Sequence, residues 1–350
     1  MAGFSRTGCI TTRLCYEGTM YESFYNLHAK PFQLSPDARF FYNSRGHKRA
    51  MSYLRYGITQ GEGFIVILGG IGTGKTTMVQ ALFDQLEDDG IIAAKLVTTQ
   101  LEADDLLRLV ATSFGLPDNG ASKARLLTQL EAFFVEKSRE GKRVLLVVDE
   151  VQNIPIKSLE ELRMLSNFQI GGTALLQIFL LGQQEFIKTL QADGLEQLRQ
   201  RIIASHYLKA LESDEVKGYI EHRLTSVGWK GDPLFDETAY REIYSYTSGV
   251  PRKINTLCDR LMLFGYLEEI HQFDANIVKV VTSELQGEIT SVQKESPVLP
   301  RQESKVSQKL VDVEQRLCVL EEKVSDFSEG FKSQRSLLAR LWPSAGDKNH

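Results

Sequence analysis

One short segment limits the fold of this chain more than any other. Residues 64–77 read FIVILGGIGTGKTT, an apolar run followed by glycines, a lysine and threonines at the P-loop spacing G-x-x-x-x-G-K-T. Glycines allow the backbone to curve into a nest of N–H donors around a polyphosphate, and the helix that follows points its positive end at the anion. The segment therefore predicts a strand, a loop and a helix that bind ATP or GTP. The residues expected to bind the nucleotide are Gly69, Gly70, Gly72, Thr73, Gly74, Lys75, Thr76 and Thr77.

A second segment supplies the acidic residues that such a loop requires. Residues 143–150 read RVLLVVDE, an apolar strand that ends in two carboxylates. P-loop hydrolases hold Mg²⁺ with a hydroxyl residue of the loop and an aspartate, and they orient the attacking water with a further polar side chain. We expect Thr76 and Asp149 to bind Mg²⁺ and Glu150 to polarise the water, which favours hydrolysis over binding alone. Taken by itself, the acidic pair is equally consistent with the surface end of a buried strand.

Composition narrows the class of protein further. The chain has 350 residues and a net charge of -4, which argues against nucleic acid as a partner. Its four cysteines show no spacing typical of a zinc site or a disulfide framework. No apolar run reaches the 18 residues or so that a membrane-spanning helix needs. We expect a cytoplasmic protein without a transmembrane segment, and peripheral association with the inner face of the inner membrane stays open.

The order of the strand and helix signals predicts the fold class. Apolar runs at 64–68, 93–97, 144–148 and 175–182 read as strands, and amphipathic helices lie between them. This alternation predicts an α/β fold, a parallel sheet sandwiched by helices. Strand signals then disappear, and helical patterns indicate a small helical domain. Its predicted helices are 214–227, 236–247, 251–267 and 274–285.

Together these segments resemble the AAA+ ATPases, and more closely the general secretion pathway protein A (ExeA-type) family. The resemblance rests on residues 20–77, DEVQNIPIKSLEELRMLSNF (149–168), LLQIFLLGQQEF (175–186), LRQRI (198–202) and SGVPRKINTLCDRLM (248–262). The secretion ATPases encoded beside exosortase and exopolysaccharide loci are a similar branch. The resemblance implies a P-loop AAA+ core with a helical lid, ATP and Mg²⁺ as ligands, and a homo-oligomer such as a hexamer.

The resemblance also implies roles for residues around the nucleotide. Gln183 matches the sensor-1 position, which contacts the γ-phosphate or the attacking water, and Arg252 matches the sensor-2 position in the lid. Tyr42 and His47 lie where the family wraps the adenine. Two of these residues have an ordinary structural alternative: Gln183 as an exposed strand end and His47 as a helix N-terminal residue.

An arginine finger is expected after the helix that follows the fourth strand. Arg199 and Arg201 lie where AAA+ proteins present such a residue to the neighbouring subunit, and Arg201 is slightly favoured. A cation that meets transition-state charge accelerates phosphoryl transfer by roughly 10³ to 10⁵. Assembly would then control hydrolysis. The alternative for either arginine is a solvated helix end.

The sequence predicts seven segments, one of which is a C-terminal helix for interaction with a partner. The segments are an extension (1–19), a lead-in that wraps the nucleotide (20–59), the AAA+ core (60–208), the lid (209–285), a linker (286–305), a coiled-coil helix (306–342) and a tail (343–350). Apolar residues from Val306 to Phe331 recur at spacings of four and three, as in a heptad repeat. This helix is expected to recruit a partner. It could instead dock on the core, and its end at 337–342 could contact a membrane surface.

Three functions fit these features. The first is an ATP-hydrolysing AAA+ oligomer that drives or regulates assembly of a cell-envelope secretion or exopolysaccharide-export system, whose component binds the C-terminal helix. The second is a DNA-associated AAA+ ATPase of the transposition-regulator type, which the acidic net charge opposes. The third is a nucleotide-gated scaffold that acts through its coiled coil. Full-length secretin-assisting relatives carry a transmembrane segment and a peptidoglycan-binding domain, and neither is expected here.

Overall fold

The structure is a computed structural model that describes residues 21–86, 90–97, 103–118 and 120–295, with the side chains of 103–104 and 288–295 excepted. The chain divides into two units, residues 1–285 and 286–350. The first unit contains the parallel sheet and the site. The predicted extension (1–19) and coiled coil (306–342) lie outside the described residues.

Helices and strands alternate through the first part of the chain, and helices dominate the second. The helices are α1 (Tyr21–Phe24), α2 (Arg45–Gln60), α3 (Lys75–Leu86), α4 (Ala103–Ser113), α5 (Lys123–Arg139), α6 (Ile156–Leu165), α7 (Phe186–Gln191), α8 (Glu196–Arg199), α9 (Ser213–Thr225), α10 (Glu237–Thr247), α11 (Pro251–Leu267) and α12 (Ala275–Glu295). The strands are β1 (Phe64–Gly69), β2 (Ile91–Val97), β3 (Arg143–Asp149), β4 (Gln169–Ile170), β5 (Thr173–Ala174), β6 (Leu176–Gly182), β7 (Ile202–Leu208), β8 (Leu234–Phe235) and β9 (Gln272–Phe273).

A five-stranded parallel sheet determines where the site lies. Its strand order is β2-β3-β6-β1-β7. In this order β6 lies between β1, which leads into the P-loop, and β3, which ends at Asp149. Gln183 follows β6 and so emerges between the other two strand ends. In open parallel sheets the crevice at the carboxyl ends of the strands is the usual ligand site.

Helices cover both faces of the sheet, as the sequence predicted. Phe64, Val66 and Leu68 of β1 are buried in one apolar cluster with residues of α4, α5 and α6. Ile65 and Ile67 of the same strand are buried in a second cluster with residues of α2 and α3. The alternation follows from the period of two in a strand. The predicted α/β fold class is confirmed.

The helices α9, α10 and α11 and the first part of α12 lie in the segment predicted to be the lid (209–285), which keeps that name below, and the start of the chain packs with them. Tyr21, Tyr25, Leu27, Phe32 and Phe40 share one buried cluster with apolar residues of the lid. Fully burying an aromatic side chain of this size stabilises the packing by about 2 kcal/mol. The lead-in (20–59) is therefore divided, because residues 21–40 pack on the lid while α2 packs on the sheet.

The structure corrects three details of the sequence-based fold. Strand β7 was not predicted, because its IIASHYL sequence is an edge strand of mixed polarity with mostly half-buried positions. The expectation that strand signals disappear after residue 212 is wrong, because β8 pairs with β9 in parallel. Helix α12 runs to Glu295, so the first part of the predicted linker (286–305) is helical. None of the helices in the described segments combines the length and apolar character required to cross a membrane.

Candidate functional site

The loop after β1 has a backbone that only glycine accommodates at two points. Gly72 and Gly74 have φ angles of 77° and 96°, in the left-handed region. A Cβ atom at Gly72 would lie 2.6 Å from Arg252 Cβ, and one at Gly74 would lie 2.9 Å from His47 Nε2. Side chains are strained at such φ values and would also collide here. The glycines therefore allow the loop to pass close to both the lid and α2.

Lys75 is held at the centre of this loop. It is the first residue of α3 and is buried, and its Nζ donates to the carbonyl oxygens of Gly69 (2.8 Å) and Gly70 (3.0 Å). Burial lowers the pKa of the Lys75 ammonium, whereas the charges of Glu150 and Asp149 act in the opposite direction. The cation thus lies between the loop backbone and the acidic end of β3.

Thr76 and Asp149 meet across the sheet edge. The Thr76 hydroxyl donates to Asp149 Oδ2 over 3.0 Å, and the same oxygen is 3.1 Å from Lys95 Nζ. A hydroxyl and a carboxylate are ligands that suit Mg²⁺, which commonly takes its other ligands from water and substrate phosphates. No cluster of three His, Cys, Asp or Glu side chains within the described segments could hold a metal without such help. The residues present therefore fit a nucleotide-bound Mg²⁺. Lys95 was not identified from the sequence.

Glu150 is fixed by two glutamine side chains. It has a φ angle of 55°, and its Oε2 accepts from Gln152 Nε2 (2.5 Å) and from Gln183 Nε2 (3.3 Å). Gln152 Oε1 in turn accepts from the backbone N–H of Gln183 (2.9 Å). Gln152 thereby joins the end of β3 to the end of β6. Gln152 was not identified from the sequence. The only pattern that points to it is an amide side chain two positions after Glu150, at the end of a strand.

His47 hydrogen-bonds to the P-loop, and its ring is neutral. Its Nε2 lies 3.1 Å from the Thr73 carbonyl oxygen, and its Nδ1 lies 2.7 Å from Ser44 Oγ. Since a carbonyl only accepts, Nε2 carries the proton and Nδ1 accepts from the serine hydroxyl. Burial lowers the pKa of His47 to about 4. The ring is a buried donor to the loop.

The turn that starts α2 connects the loop to the lid. Ser44 caps the helix by accepting from the His47 backbone N–H. The next residue, Arg45, donates its backbone N–H to Glu215 Oε1 over 2.8 Å. Its guanidinium pairs with Asp214 (2.6 Å) and Glu212 (2.9 Å) at the start of lid helix α9. A movement of the lid would therefore pull on the helix that carries His47.

A cavity of about 440 Å³ joins these groups to the lid. One side, here named the P-loop wall, consists of residues 71–77 with Glu150 and Gln183. The other side, here named the lid wall, consists of residues 33–37 and 40–42 with Tyr219, Arg223, Pro251, Arg252 and Asn255. The cavity therefore lies between the AAA+ core and the lid.

The residues predicted for the lid side face this cavity. Arg252 is exposed at the first turn of α11, and its backbone N–H donates to the Gly72 carbonyl oxygen over 3.1 Å. Tyr42 is half-buried, and its ring packs edge-on against Tyr219 with the centroids 5.9 Å apart. Burial raises the pKa of the Tyr42 hydroxyl. His47 also borders the cavity, although its ring bonds to the loop.

The two candidate finger arginines lie elsewhere in the chain. Arg199 Nη1 donates to the carbonyl oxygens of Leu190 (2.5 Å) and Ala192 (3.2 Å), and its Nη2 pairs with Glu196. Arg201 Nη1 donates to the carbonyl oxygen and the hydroxyl of Ser166, both at 3.1 Å. Neither arginine is among the described residues that line the cavity.

Comparison with known proteins identifies a domain and a relative of this chain. The AAA domain family matches residues 58–190. General secretion pathway protein A of Aeromonas hydrophila is 33% identical over 269 residues, which cover 77% of this chain and 49% of that protein. The chain thus spans about half the length of this relative.

Solved structures show the same fold at low sequence identity. Drosophila ORC bound to DNA is similar with a TM-score of 0.59 and 13% identity, covering 85% of this chain and 74% of that chain. Cdc6p from Pyrobaculum aerophilum has a TM-score of 0.57 and 15% identity, covering 73% and 70%. With its P-loop between β1 and α3 and its parallel sheet, the chain contains an AAA domain at residues 58–190 and is a homologue of general secretion pathway protein A over 269 residues.

Proposed function

We propose that this protein binds ATP with Mg²⁺ and hydrolyses the nucleotide. The observation that carries the proposal is the meeting of Lys75, Thr76, Asp149 and Glu150 at one edge of the sheet, beside a cavity of about 440 Å³. The loop offers backbone N–H groups and a cation to phosphates, as P-loop proteins do. The preference for ATP over GTP comes from the family resemblance.

The residues in and around the cavity have distinct tasks in this proposal. The loop backbone and Lys75 bind the phosphates, and Thr76 with Asp149 would hold Mg²⁺, which supplies positive charge against the phosphate oxygens. Glu150 accepts a proton from the attacking water, and Gln152 with Gln183 keep its carboxylate in place. Arg252 contacts the nucleotide from the lid, and Tyr42 and His47 complete the surroundings.

A neighbouring subunit supplies the remaining cation in our proposal. Arg201, or alternatively Arg199, lies outside the cavity of its own chain and would reach the site of the next chain in a homo-oligomer such as a hexamer. Positive charge placed at the transferred phosphate is worth roughly 10³ to 10⁵ in rate. Hydrolysis would then depend on assembly.

Steady-state ATPase activity at increasing protein concentration tests this directly. We expect the activity per chain to rise with concentration and to fall by roughly 10² to 10³ in Lys75→Ala, which serves as the blank. Arg201→Ala and Glu150→Gln should each be inactive alone but should regain activity when mixed. In the mixed oligomer, a site of an Arg201→Ala chain keeps its Glu150 carboxylate and receives Arg201 from a neighbouring Glu150→Gln chain. Arg199→Ala in the same mixing assay shows which arginine acts. Activity that is independent of concentration, or the absence of recovery for both arginine variants, would contradict the shared site.

The cellular role that we propose is assembly of an envelope secretion or polysaccharide-export system. Its support is the 33% identity to general secretion pathway protein A over 77% of this chain. The predicted helix at 306–342 would recruit the component of that system. A strain that lacks 306–342 should lose secretion while the purified protein keeps its ATPase activity. Normal secretion in a Lys75→Ala strain would instead favour the scaffold function, in which hydrolysis is incidental.

Nucleic acid binding is not part of the proposal. The likeness to Drosophila ORC bound to DNA is a likeness of fold at 13% identity. The net charge of -4 also gives no global attraction to phosphate backbones. Binding of duplex DNA that weakens with salt and is stimulated by ATP would instead favour a DNA-associated function.

A further inference from the structure

The lid wall contains a buried amide that points into the cavity. Asn255 lies one helical turn after Arg252 on α11, so the two side chains share a face of the helix. It is 7% exposed and lines the cavity. Its neighbours on this wall include the aromatic residues Phe40, Phe41 and Tyr42.

The orientation of this amide is set by a chain of hydrogen bonds. The Tyr219 hydroxyl donates to Asn255 Oδ1 over 2.7 Å, and the Tyr219 oxygen accepts from Arg223 Nη1 over 3.2 Å. Burial raises the pKa of the Tyr219 hydroxyl, so it keeps the proton that it donates. Because Oδ1 is the acceptor, the two N–H groups of Asn255 are on the other side of the amide.

Arg223 anchors this chain at its far end. Arg223 is 6% exposed, and its guanidinium donates through Nε to the Pro31 carbonyl oxygen (2.6 Å) and through Nη2 to that of Gln33 (3.1 Å). It also lies 4.6 Å from the centre of the Phe40 ring, a cation–π contact. All of these contacts fix Arg223, and with it the direction of the Asn255 amide.

The amide nitrogen of Asn255 is a hydrogen-bond donor that has no acceptor among the described residues. Within the described segments Asn255 Nδ2 makes no hydrogen bond, and it is not sealed from solvent, because the residue lines the cavity. An amide donor that is held in one orientation and opens onto a ligand cavity matches an acceptor atom on the ligand. This wall also carries the aromatic rings of Phe40, Phe41, Tyr42 and Tyr219. The ligand part that matches an amide donor beside such rings is a flat, nitrogen-containing ring.

We infer that Asn255 Nδ2 donates a hydrogen bond to a ring nitrogen of the nucleotide base, and that Tyr219 and Arg223 position it for this contact. The inference rests on the proposed function, because it assumes that the cavity binds ATP. It adds a residue that hydrogen-bonds the base to a site in which Tyr42 and His47 are expected to surround the adenine and the P-loop wall binds the phosphates. A net hydrogen bond of this kind is worth roughly a three- to tenfold change in affinity.

Calorimetric titration of the full chain tests the contact atom by atom. The ligands are ATP, 1-deaza-ATP, 3-deaza-ATP and 7-deaza-ATP, each of which lacks one ring nitrogen, together with 2′-deoxy-ATP and inorganic tripolyphosphate. We expect the wild-type protein to bind one of the three deaza analogues about three- to tenfold more weakly than ATP. The affinity of Asn255→Ala for ATP should equal the affinity of the wild type for that analogue. Asn255→Ala should also bind the analogue and ATP with equal affinity. Tripolyphosphate should bind both proteins equally.

Two further variants separate recognition from folding. Lys253→Ala changes an exposed residue in the same turn of α11 and should match the wild type with every ligand. Tyr219→Phe keeps the ring but releases the amide, so it should lose part of the discrimination even if Asn255→Ala fails to fold.

The outcomes are distinct. Equal binding of ATP and all three deaza analogues by the wild type would overturn the inference while leaving the proposed function intact. A loss confined to 2′-deoxy-ATP would place the acceptor on the ribose and would also overturn it. If the wild type binds neither ATP nor tripolyphosphate, the proposed function fails and the inference fails with it.

Discussion

The two walls of the cavity differ in how they are built. The P-loop wall consists of one loop and two strand ends, and it presents backbone N–H groups, the Lys75 ammonium and the Glu150 carboxylate. The lid wall consists of side chains that are far apart in sequence: aromatic rings, the amides of Gln33 and Asn255, the Asp37 carboxylate, and the guanidinium groups of the buried Arg223 and the exposed Arg252. The first wall is suited to phosphates, and the aromatic part of the second is suited to a neutral ring. One cavity therefore combines a side built from a single loop and two strand ends with a side that exists only when the lead-in packs on the lid.

A single turn couples the two walls. His47 donates to the Thr73 carbonyl oxygen of the P-loop, and the neighbouring Arg45 pairs with acidic residues of lid helix α9. The buried cluster that contains Phe32 and Phe40 adds a second connection between the lead-in and the lid. The different roles of the two walls can be tested by removing one cation from each, Lys75 from the P-loop wall and Arg223 from the lid wall.

Removal of the P-loop cation should have the largest effect. Lys75→Met deletes a preorganised charge at the phosphates, and losses of roughly 10² to 10³ in rate are typical for such groups. We expect a decrease of this size in kcat/KM for ATP, and a matching loss of tripolyphosphate binding in calorimetry. Lys253→Met, on the exposed side of α11, is the control and should be unchanged. Wild-type affinity of Lys75→Met for tripolyphosphate would show that the charge of this wall is not directed at phosphate.

Removal of Arg223, the buried cation of the lid wall, should affect folding instead. Arg223→Met leaves the carbonyl oxygens of Pro31 and Gln33 without their donor, and losing hydrogen bonds to a buried charge costs about 3 kcal/mol. We expect the melting temperature to fall, with the lid unfolding first. Arg39→Met is the matched control, because Arg39 also lies over the Phe40 ring but its side chain is 74% exposed. A stable Arg223→Met protein with weak tripolyphosphate binding would mean that Arg223 serves phosphate.

The same difference explains what sequence analysis could predict. Glycines, Lys75 and Thr76 lie within one motif, and Asp149 and Glu150 end one apolar strand, so local patterns were sufficient to find them. Gln152 and Lys95 acquire their contacts only when β3 pairs with β2 and β6. Tyr219, Arg223 and Asn255 have ordinary helical positions in sequence, and no local pattern reveals that they meet residues 31–42. Strand β7 was missed because an edge strand need not be apolar.

The coupling turn should make stability depend on pH. His47 has a pKa of about 4 in the folded chain and an ordinary value of 6.5 when unfolded. The unfolded chain therefore binds more protons between these values, so this contribution to stability is complete above pH 6.5 and is lost as the pH falls towards 4. Between pH 6.5 and 5 the loss should be about 2 kcal/mol.

Chemical denaturation of the wild type and His47→Gln at pH 7 and pH 5 measures this contribution. Burial also lowers the pKa of His206 and His222, but both proteins retain these residues, so their effects cancel in the difference. The wild type should lose about 2 kcal/mol more than the variant on acidification. The same loss in both proteins would mean that the His47 ring is protonated in the folded chain as easily as in the unfolded one.

The smallest effect that we expect concerns the glutamine that holds Glu150. Gln152→Ala removes the 2.5 Å hydrogen bond to the carboxylate, while the weaker 3.3 Å bond from Gln183 remains. A carboxylate that is less well placed should slow proton transfer about tenfold in kcat, with KM within twofold of wild type, because nucleotide binding does not use this bond. Gln184→Ala, an exposed neighbour of Gln183, should leave both parameters unchanged.

A double variant decides whether the two amides act as one unit. If Gln152 and Gln183 both serve only to place Glu150, then Gln152→Ala combined with Gln183→Ala should cost less than the product of the single losses, since a released carboxylate cannot be released again. A full multiplicative loss would instead mean that Gln183 has its own contact with the nucleotide or the water, as expected for the sensor-1 position. Measuring kcat and KM for the wild type and the three variants separates these roles from a general disturbance of the site, which would raise KM together with the fall in kcat.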